Sequence, residues 1–119
     1  MYIGQLAAQT GVTQKAIRHY EKLGLLPIPQ RKGNYRIYDQ MHVHLVNMIR
    51  RAQSVGFSLA EISELAQIKA QQKCFPLAFA QQLFQEKRQQ IQQQQEKLVA
   101  IEKNLITLEQ ELVSLYQTD

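Results

Sequence analysis

Basic side chains and tyrosines are concentrated in the first half of this 119-residue chain. Residues 1–57 carry eight Lys or Arg against two acidic residues, a net charge of +6, whereas residues 58–119 carry six against eight, a net charge of −2. Guanidinium groups and tyrosine hydroxyls both donate hydrogen bonds to phosphate oxygens. The pattern predicts that the first half binds a polyanion, and charge alone leaves nucleic acid and a membrane surface as alternatives.

Other chemistry-bearing residues are too scattered to indicate catalysis or a metal site. The single cysteine, Cys74, excludes a disulfide framework and a self-contained four-thiolate zinc site. His42 and His44 are two residues apart on a predicted helix, so they make poor co-ligands and are expected at the surface. Because there is no nucleophile–base–acid set and glycine is sparse, we expect no enzyme, no cofactor and no bound metal.

The length of the chain suits one domain, or a small domain with an appendage. No apolar run approaches the ~20 residues that a membrane crossing needs, and the N-terminus shows no signal-peptide pattern. A soluble cytoplasmic protein is therefore expected.

Two short predicted helices position the first basic cluster. Residues 3–10 have helical apolar spacing, and Gly11 follows as a left-handed stop. Thr13 is the expected N-cap of the second helix, which ends at Gly24. Such a pair is typical of a helix-turn-helix, whose second helix usually enters the major groove, although many helical hairpins share the pattern. The outer face of this second helix is predicted to carry Gln14, Lys15, Arg18 and His19.

A small basic β-hairpin is predicted over residues 30–38. Residues 32–34 have turn chemistry, and the residues after them favour strands. Contact with backbone phosphates is the functional interpretation, and a solvated turn whose tyrosines cover a small core is the alternative. The side chains concerned are Arg31, Lys32, Tyr35, Arg36 and Tyr38.

Two further helices are predicted before a polar linker. Asp39 caps a helix to about residue 55, and a Ser58–Glu61 capping box begins the next, which fades over residues 69–73. The inward-facing residues predicted for the first of these helices are Leu45, Ile49 and Ala52.

A heptad seam follows Pro76, which is expected in the first turn of a long helix. One set of apolar residues recurs every seven positions: Leu77, Phe84, Ile91, Leu98, Leu105 and Leu112. A second set follows three residues after each of the last three members: Ile101, Leu108 and Leu115. The Gln-rich residues 81–95 could indicate disorder, but the seam beneath them favours a helix of ~60 Å. Because one such stripe must be buried against another copy, we predict a homodimer, with a DNA-binding-type domain over 1–73 and a dimerisation helix over 74–119.

The residues within the seam favour an antiparallel pair of helices. In a parallel pair Lys87 would face its own copy, and like charges would be held together. In an antiparallel pair Phe84 meets Leu108, and Lys87 packs its stem against Leu105 while its ammonium reaches water.

Six blocks of the sequence, in order and at fitting spacing, resemble the N-terminal signature of bacterial MerR-type transcription regulators. The likeness covers about residues 2–66, and residues 33–35 depart from the Asn-Gly-Tyr that the family more often has. The blocks are Ile3-Gly4-x-Leu6-Ala7, Thr10-Gly11-Val12, Ile17-Arg18-x-Tyr20-Glu21, Gly24-Leu25-Leu26-Pro27, Tyr35-Arg36-x-Tyr38 and Gly56-Phe57-Ser58-Leu59-x-Glu61-Ile62.

The resemblance implies a mainly α fold: a winged helix-turn-helix with a β-hairpin wing, a second helical pair and a long antiparallel coiled-coil dimerisation helix. It implies a homodimer that binds a near-palindromic operator in double-stranded DNA and distorts the spacer so that RNA polymerase engages both promoter elements. By matching position, the resemblance implies that the second helix contacts bases in the major groove of DNA and that Tyr20 contacts a phosphate. It also implies that Tyr35 and Arg36 bind the DNA backbone from the wing. Packing is an equal alternative for Tyr20 and Tyr38.

The effector is not predicted. Cys74 lies where metal sensors of the family place one ligand, but their further ligands and a ligand-binding domain are lacking here, so metal sensing is not expected. Cys74 is expected to be a small buried hydrophobe, with a thiol sensor as the alternative. The other functions considered are an architectural, excisionase-like DNA-binding protein without effector control, and a coiled-coil adaptor whose basic half binds protein or membrane.

Overall fold

Five α-helices and one β-hairpin make up residues 1–117, the part of the chain that the computed structural model describes. This confirms the mainly α fold class with a small hairpin and a long last helix. The elements are α1 (Ile3–Thr10), α2 (Gln14–Lys22), β1 (Gln30–Lys32), β2 (Tyr35–Ile37), α3 (Gln40–Ser54), α4 (Leu59–Gln72) and α5 (Leu77–Tyr116).

The turn between α1 and α2 forms from local signals in the sequence. Gly11 has a φ of 70°, and its N–H donates to the Ala7 carbonyl at 2.9 Å, which closes α1. Thr13 Oγ1 then accepts from the backbone N–H of Ala16 at 3.1 Å and begins α2. Both predicted signals are confirmed.

Strands β1 and β2 form the predicted antiparallel hairpin, with Gly33 and Asn34 as its two-residue turn. Gly33 has a φ of 63°, a left-handed backbone conformation that residues other than glycine adopt with strain. The end of the hairpin is held to the start of the chain, because Met1 and Tyr38 exchange two backbone hydrogen bonds of 2.7 and 2.8 Å.

The second helical pair begins at the predicted caps. Asp39 Oδ1 accepts from the N–H of His42, and Ser58 and Glu61 form a reciprocal capping box with bonds of 2.9 and 3.1 Å. The predicted fading of α4 is wrong, because the helix continues to Gln72. The predicted place of Pro76 is also one residue off, since α5 begins after it.

One small hydrophobic core holds residues 1–77 together. Its fully buried side chains include Leu6, Ile17 and Val46, which come from α1, α2 and α3. Of the predicted inward residues of α3, Ile49 is buried, whereas Leu45 and Ala52 are half-buried. The remaining members of the core are Tyr20, Leu26 and Tyr38.

The chain divides into two compact units, one ending at Leu77 and one beginning at Ala78. The second unit is the body of α5, a continuous helix that includes the Gln-rich residues 81–95, so the prediction of helix there is confirmed. All nine predicted seam residues are exposed, from 46% for Ile91 to 69% for Leu115. Over residues 1–117, no helix combines the length and the apolar character that a membrane crossing requires.

Candidate nucleic-acid interface

The outer face of α2 is polar and cationic. Helix α2 buries Ile17 and Tyr20 against the core, and this fixes which of its sides meets solvent. The four residues predicted for that outer face are all exposed: Gln14, Lys15, Arg18 and His19. Their side chains therefore form one surface that can donate hydrogen bonds to base edges or phosphates.

The β1–β2 hairpin, called the wing below, presents a second set of hydrogen-bond donors. Arg31 lies opposite Arg36 in the β-ladder, and Lys32 lies opposite Tyr35, so each pair shares a face of the hairpin. Arg31, Lys32 and Tyr35 are exposed, and the Tyr35 ring makes an edge contact with Tyr2 at 5.7 Å between centroids. The wing thus holds cations at defined positions.

A groove of about 440 Å³ separates α2 from the wing. One wall is apolar and comes from residues 26–29, where Ile28 stands between two prolines and is 95% exposed. The charged side chains that line the groove are Arg18, Glu21, Lys22, Arg31 and Arg36. Four cations around one groove make a site in which a phosphate backbone is electrostatically favoured.

Tyr20 and Tyr38 lie in the core and not on this surface, being 4% and 2% exposed. The Tyr20 hydroxyl donates to Gln53 Oε1 at 2.9 Å, and the Tyr38 hydroxyl donates to the Glu21 carboxylate. Burial raises the pKa of Tyr20, and burial followed by the Glu21 hydrogen bond raises the pKa of Tyr38 well above its ordinary value. Both phenols are therefore protonated packing residues, the alternative that the sequence left open.

Glu21 is a site residue that the sequence analysis missed. Its Oε2 lies 3.3 Å from Nε of Arg36, and its Oε1 accepts from Tyr38, so this carboxylate joins α2 to the wing. The sequence did contain a signal that could have identified this residue: Glu21 is the one acidic residue in the first 38 positions.

His42 is buried, so the expectation that it lies at the surface is wrong, whereas His44 is exposed as expected. His42 Nε2 lies 2.9 Å from the Pro27 carbonyl oxygen, which can only accept, so Nε2 is the donor. Its Nδ1 lies 3.2 Å from the Asp39 backbone nitrogen and 2.9 Å from Asp39 Oδ1. This hydrogen bonding lowers the pKa of Asp39 and ties α3 to the segment between α2 and β1.

Cys74 is exposed, in the segment between α4 and α5, so the expectation of a buried hydrophobe is wrong. The residue before it, Lys73, has a φ of 57° and ends α4 in the left-handed conformation. Within the described part of the chain, no three His, Cys, Asp or Glu side chains are grouped as metal ligands would be.

An exposed cationic helix beside a basic hairpin, both on one small core, defines a winged helix-turn-helix protein. A family model described as "MerR HTH family regulatory protein" matches residues 1–69, and one described as "MerR, DNA binding" matches residues 43–108. The chain belongs to the MerR family. Members of this family are DNA-binding transcription regulators, which confirms the resemblance. The matched homologues are regulators and not enzymes, in agreement with the expectation of no enzyme.

Individual relatives agree with this assignment. The mercuric resistance operon regulatory protein of Bacillus cereus is 47% identical over 64 residues, which are 53% of this chain and 48% of that protein. The HTH-type transcriptional regulator CueR of Salmonella typhi is 45% identical over 69 residues, which are 57% of this chain and 50% of that protein. The chain thus spans about half the length of the curated relatives it matches.

Solved structures match over nearly the whole chain. The transcription regulator PbrR691 from Ralstonia metallidurans CH34, in complex with lead(II), is 29% identical with a TM-score of 0.69, covering 92% of this chain and 86% of that one. A MerR family regulator described as putative from Listeria monocytogenes is 17% identical with a TM-score of 0.75, covering 99% and 92%. The second match concerns the fold alone.

Proposed function

We propose that this chain acts as a homodimer that binds a palindromic promoter operator and distorts the spacer DNA in response to a signal. The observation that carries the proposal is the combination, in one chain, of a cationic α2–wing surface and a long helix with an exposed apolar seam. The first feature suits a DNA half-site, and the second suits pairing with another copy.

The exposed seam of α5 supports the dimer. Nine apolar side chains in a heptad pattern are each about half to two-thirds exposed in the single chain. Covering them is favourable by roughly 1 kcal/mol per side chain, given ~25 cal/mol per Å² of apolar surface. An antiparallel pair covers them while placing the Lys87 stem beside Leu105, so we propose that orientation.

Two copies joined in this way carry two cationic α2–wing surfaces. Half-sites about 34 Å apart, one turn of DNA, are the usual spacing for dimeric helix-turn-helix proteins. Arg18, Lys22, Arg31 and Arg36 supply phosphate contacts at each half-site, and the exposed α2 residues read base edges. This predicts specific binding that weakens steeply as salt concentration rises.

Distortion of the spacer is the proposed route to RNA polymerase. Bending a site of this size costs of the order of 1–6 kcal/mol, which phosphate contacts along both half-sites offset. Polymerase then engages promoter elements that the undistorted DNA holds out of alignment.

The relatives' names refer to mercuric resistance and to a lead complex, and those metals are properties of those proteins. A soft metal needs more than one thiolate for selective capture, and Cys74 is the single cysteine of this sequence. We therefore propose signal-dependent regulation in which no metal is assigned to this chain.

Footprinting of the purified protein on the promoter region beside its gene tests the proposal. We expect one symmetric protected site between the promoter elements, with enhanced cleavage at its centre where the DNA is bent. Scattered asymmetric sites would instead favour the architectural alternative. Equal affinity for promoter and random duplexes at moderate salt would favour the adaptor alternative.

A further inference from the structure

Glu21 occupies an electrostatically unfavourable place for a protein that binds DNA. It lies on α2 in the groove lined by four cations, where a phosphate backbone would meet its negative charge. Its side chain is only 13% exposed, so ionised oxygens there require partners. A carboxylate in this position opposes phosphate binding unless it serves another purpose.

Both oxygens of Glu21 are bound by residues of the wing. Arg36 on β2 contacts Oε2 through Nε at 3.3 Å, and Tyr38, which follows β2, donates its hydroxyl to Oε1. Because burial and this hydrogen bond raise the pKa of Tyr38, its hydroxyl is a donor throughout the physiological pH range. The carboxylate therefore ties two side chains of the wing to one point on α2.

The same contacts continue toward the segment that joins α2 to β1. The Tyr38 ring packs edge-on against His42 at 5.1 Å between centroids, and His42 Nε2 donates to the Pro27 carbonyl at 2.9 Å. The start of α3, the end of the wing and the start of the joining segment are thereby held in one arrangement. Glu21 is the member of this network that belongs to α2.

The contact with Glu21 also orients Arg36. A guanidinium group is planar and carries five N–H donors, and the ion pair with Glu21 approaches it at Nε, which restricts where this group can lie. Arg36 also lines the groove, and its side chain is 39% exposed, so part of the guanidinium is accessible to a phosphate. The Arg36 guanidinium is therefore kept at the groove, where a phosphate can contact it, while its Nε side is held by the Glu21 carboxylate.

We propose that Glu21 is a positioning residue of the DNA-binding surface, which holds the wing and the Arg36 guanidinium at the distance from α2 that a DNA backbone requires. This role rests on the proposed function as a DNA-binding regulator. Glu21 makes no contact with DNA in this role and acts through Arg36 and Tyr38.

The sign of the effect of Glu21→Gln tests the positioning role. If the carboxylate acted only through its charge, its removal would strengthen binding to phosphates. If it positions Arg36, its removal weakens binding to the operator duplex, and we expect about a ten-fold loss, the size typical for a hydrogen bond to a charged group. Binding to a random duplex should change less, so that the specificity ratio falls. Glu64→Gln, which removes the same charge from the exposed face of α4, is the matched control and should not weaken binding.

Two further measurements separate positioning from general structural support. Tyr38→Phe should weaken operator binding, and the double variant with Glu21→Gln should lose less than the product of the two single losses, because both act on one contact. In NMR spectra of the free protein, the Arg36 Nε–H resonance should shift in Glu21→Gln while the amide resonances of the α1 and α3 core residues stay in place.

The two proposals fail in distinguishable ways. Wild-type protein that binds promoter and random duplexes alike would refute the proposed function. Wild-type protein that binds its operator specifically, together with a Glu21→Gln variant that binds it equally well or better, would refute the positioning role alone.

Discussion

Replacing Leu105 by Asp is the sharpest perturbation of the proposed dimer. Leu105 is 64% exposed in the single chain, and complete burial of a leucine side chain is worth about 1.5–3 kcal/mol. Covering the remaining two-thirds therefore contributes roughly 1–2 kcal/mol per copy, or about 2–4 kcal/mol for the symmetric pair. The substitution removes this gain and places a carboxylate in each seam, where the ammonium of the neighbouring Lys87 offsets part of its desolvation cost.

The expected weakening is then about 2–4 kcal/mol, or roughly thirty- to a thousand-fold in the dimer dissociation constant. Sedimentation equilibrium measures it directly, since the wild-type chain should give twice 13.8 kDa and Leu105→Asp should give 13.8 kDa. Operator binding should be lost at the same protein concentrations, because a monomer contacts one half-site.

Gln110→Asp provides the matched control for this substitution. Gln110 is exposed on α5, five residues after Leu105 and outside the seam, so the same charge there should leave both the mass and operator binding unchanged. A Leu105→Asp protein that remains dimeric and binds its operator would show that the seam does not hold the dimer together.

Three further predictions follow from the structure. Arg18→Ala should weaken specific operator binding by about 1–3 kcal/mol while thermal unfolding stays unchanged, since the side chain is exposed; gel-shift titration and circular dichroism measure the two effects. In an otherwise cysteine-free chain, cysteines replacing Phe84 and Leu108 should cross-link between copies as 84–108 pairs, and dominant 84–84 linkage would reject the antiparallel orientation. The hydrogen bond with His42 lowers the pKa of Asp39, so the Asp39 carboxylate contributes stability above its unfolded pKa of about 3.9, and this contribution is lost as the pH falls through the lower folded value. Chemical unfolding of Asp39→Asn between about pH 5 and 2, roughly the span of that titration, should therefore lack this part of the pH dependence.

Local features of this fold could be predicted from the sequence because each depends on neighbours along the chain. Thr13, Asp39 and Ser58 cap helices through hydrogen bonds to residues three positions later. Gly11 ends α1 through its own left-handed backbone, and the turn of the wing follows from residues 33 and 34. The hydrophobic period of seven likewise predicted an unbroken α5, because a helix repeats its faces regularly.

Burial could not be predicted in the same way, because it depends on which distant element covers a given face. The spacing of His42 and His44 placed them on different faces of α3 but did not show that the Pro27 segment and Tyr38 would cover one of those faces. Tyr20 and Tyr38 had the residue type of a phosphate ligand, and only the packing of the wing end and α3 on α2 placed their hydroxyls on internal partners.

The sequence alone determined the helix caps and the turn of the hairpin, which faces of α2 and the wing are cationic, and which family the chain resembles, whereas the end of α4 and the start of α5 differed from its prediction. Only the tertiary structure decided that Glu21 and Arg36, fifteen positions apart, form an ion pair across the groove. The physical reason is range: caps, turns and helical periodicity act within about one turn of helix, whereas an ion pair between a helix and a wing exists only after the core has brought them together.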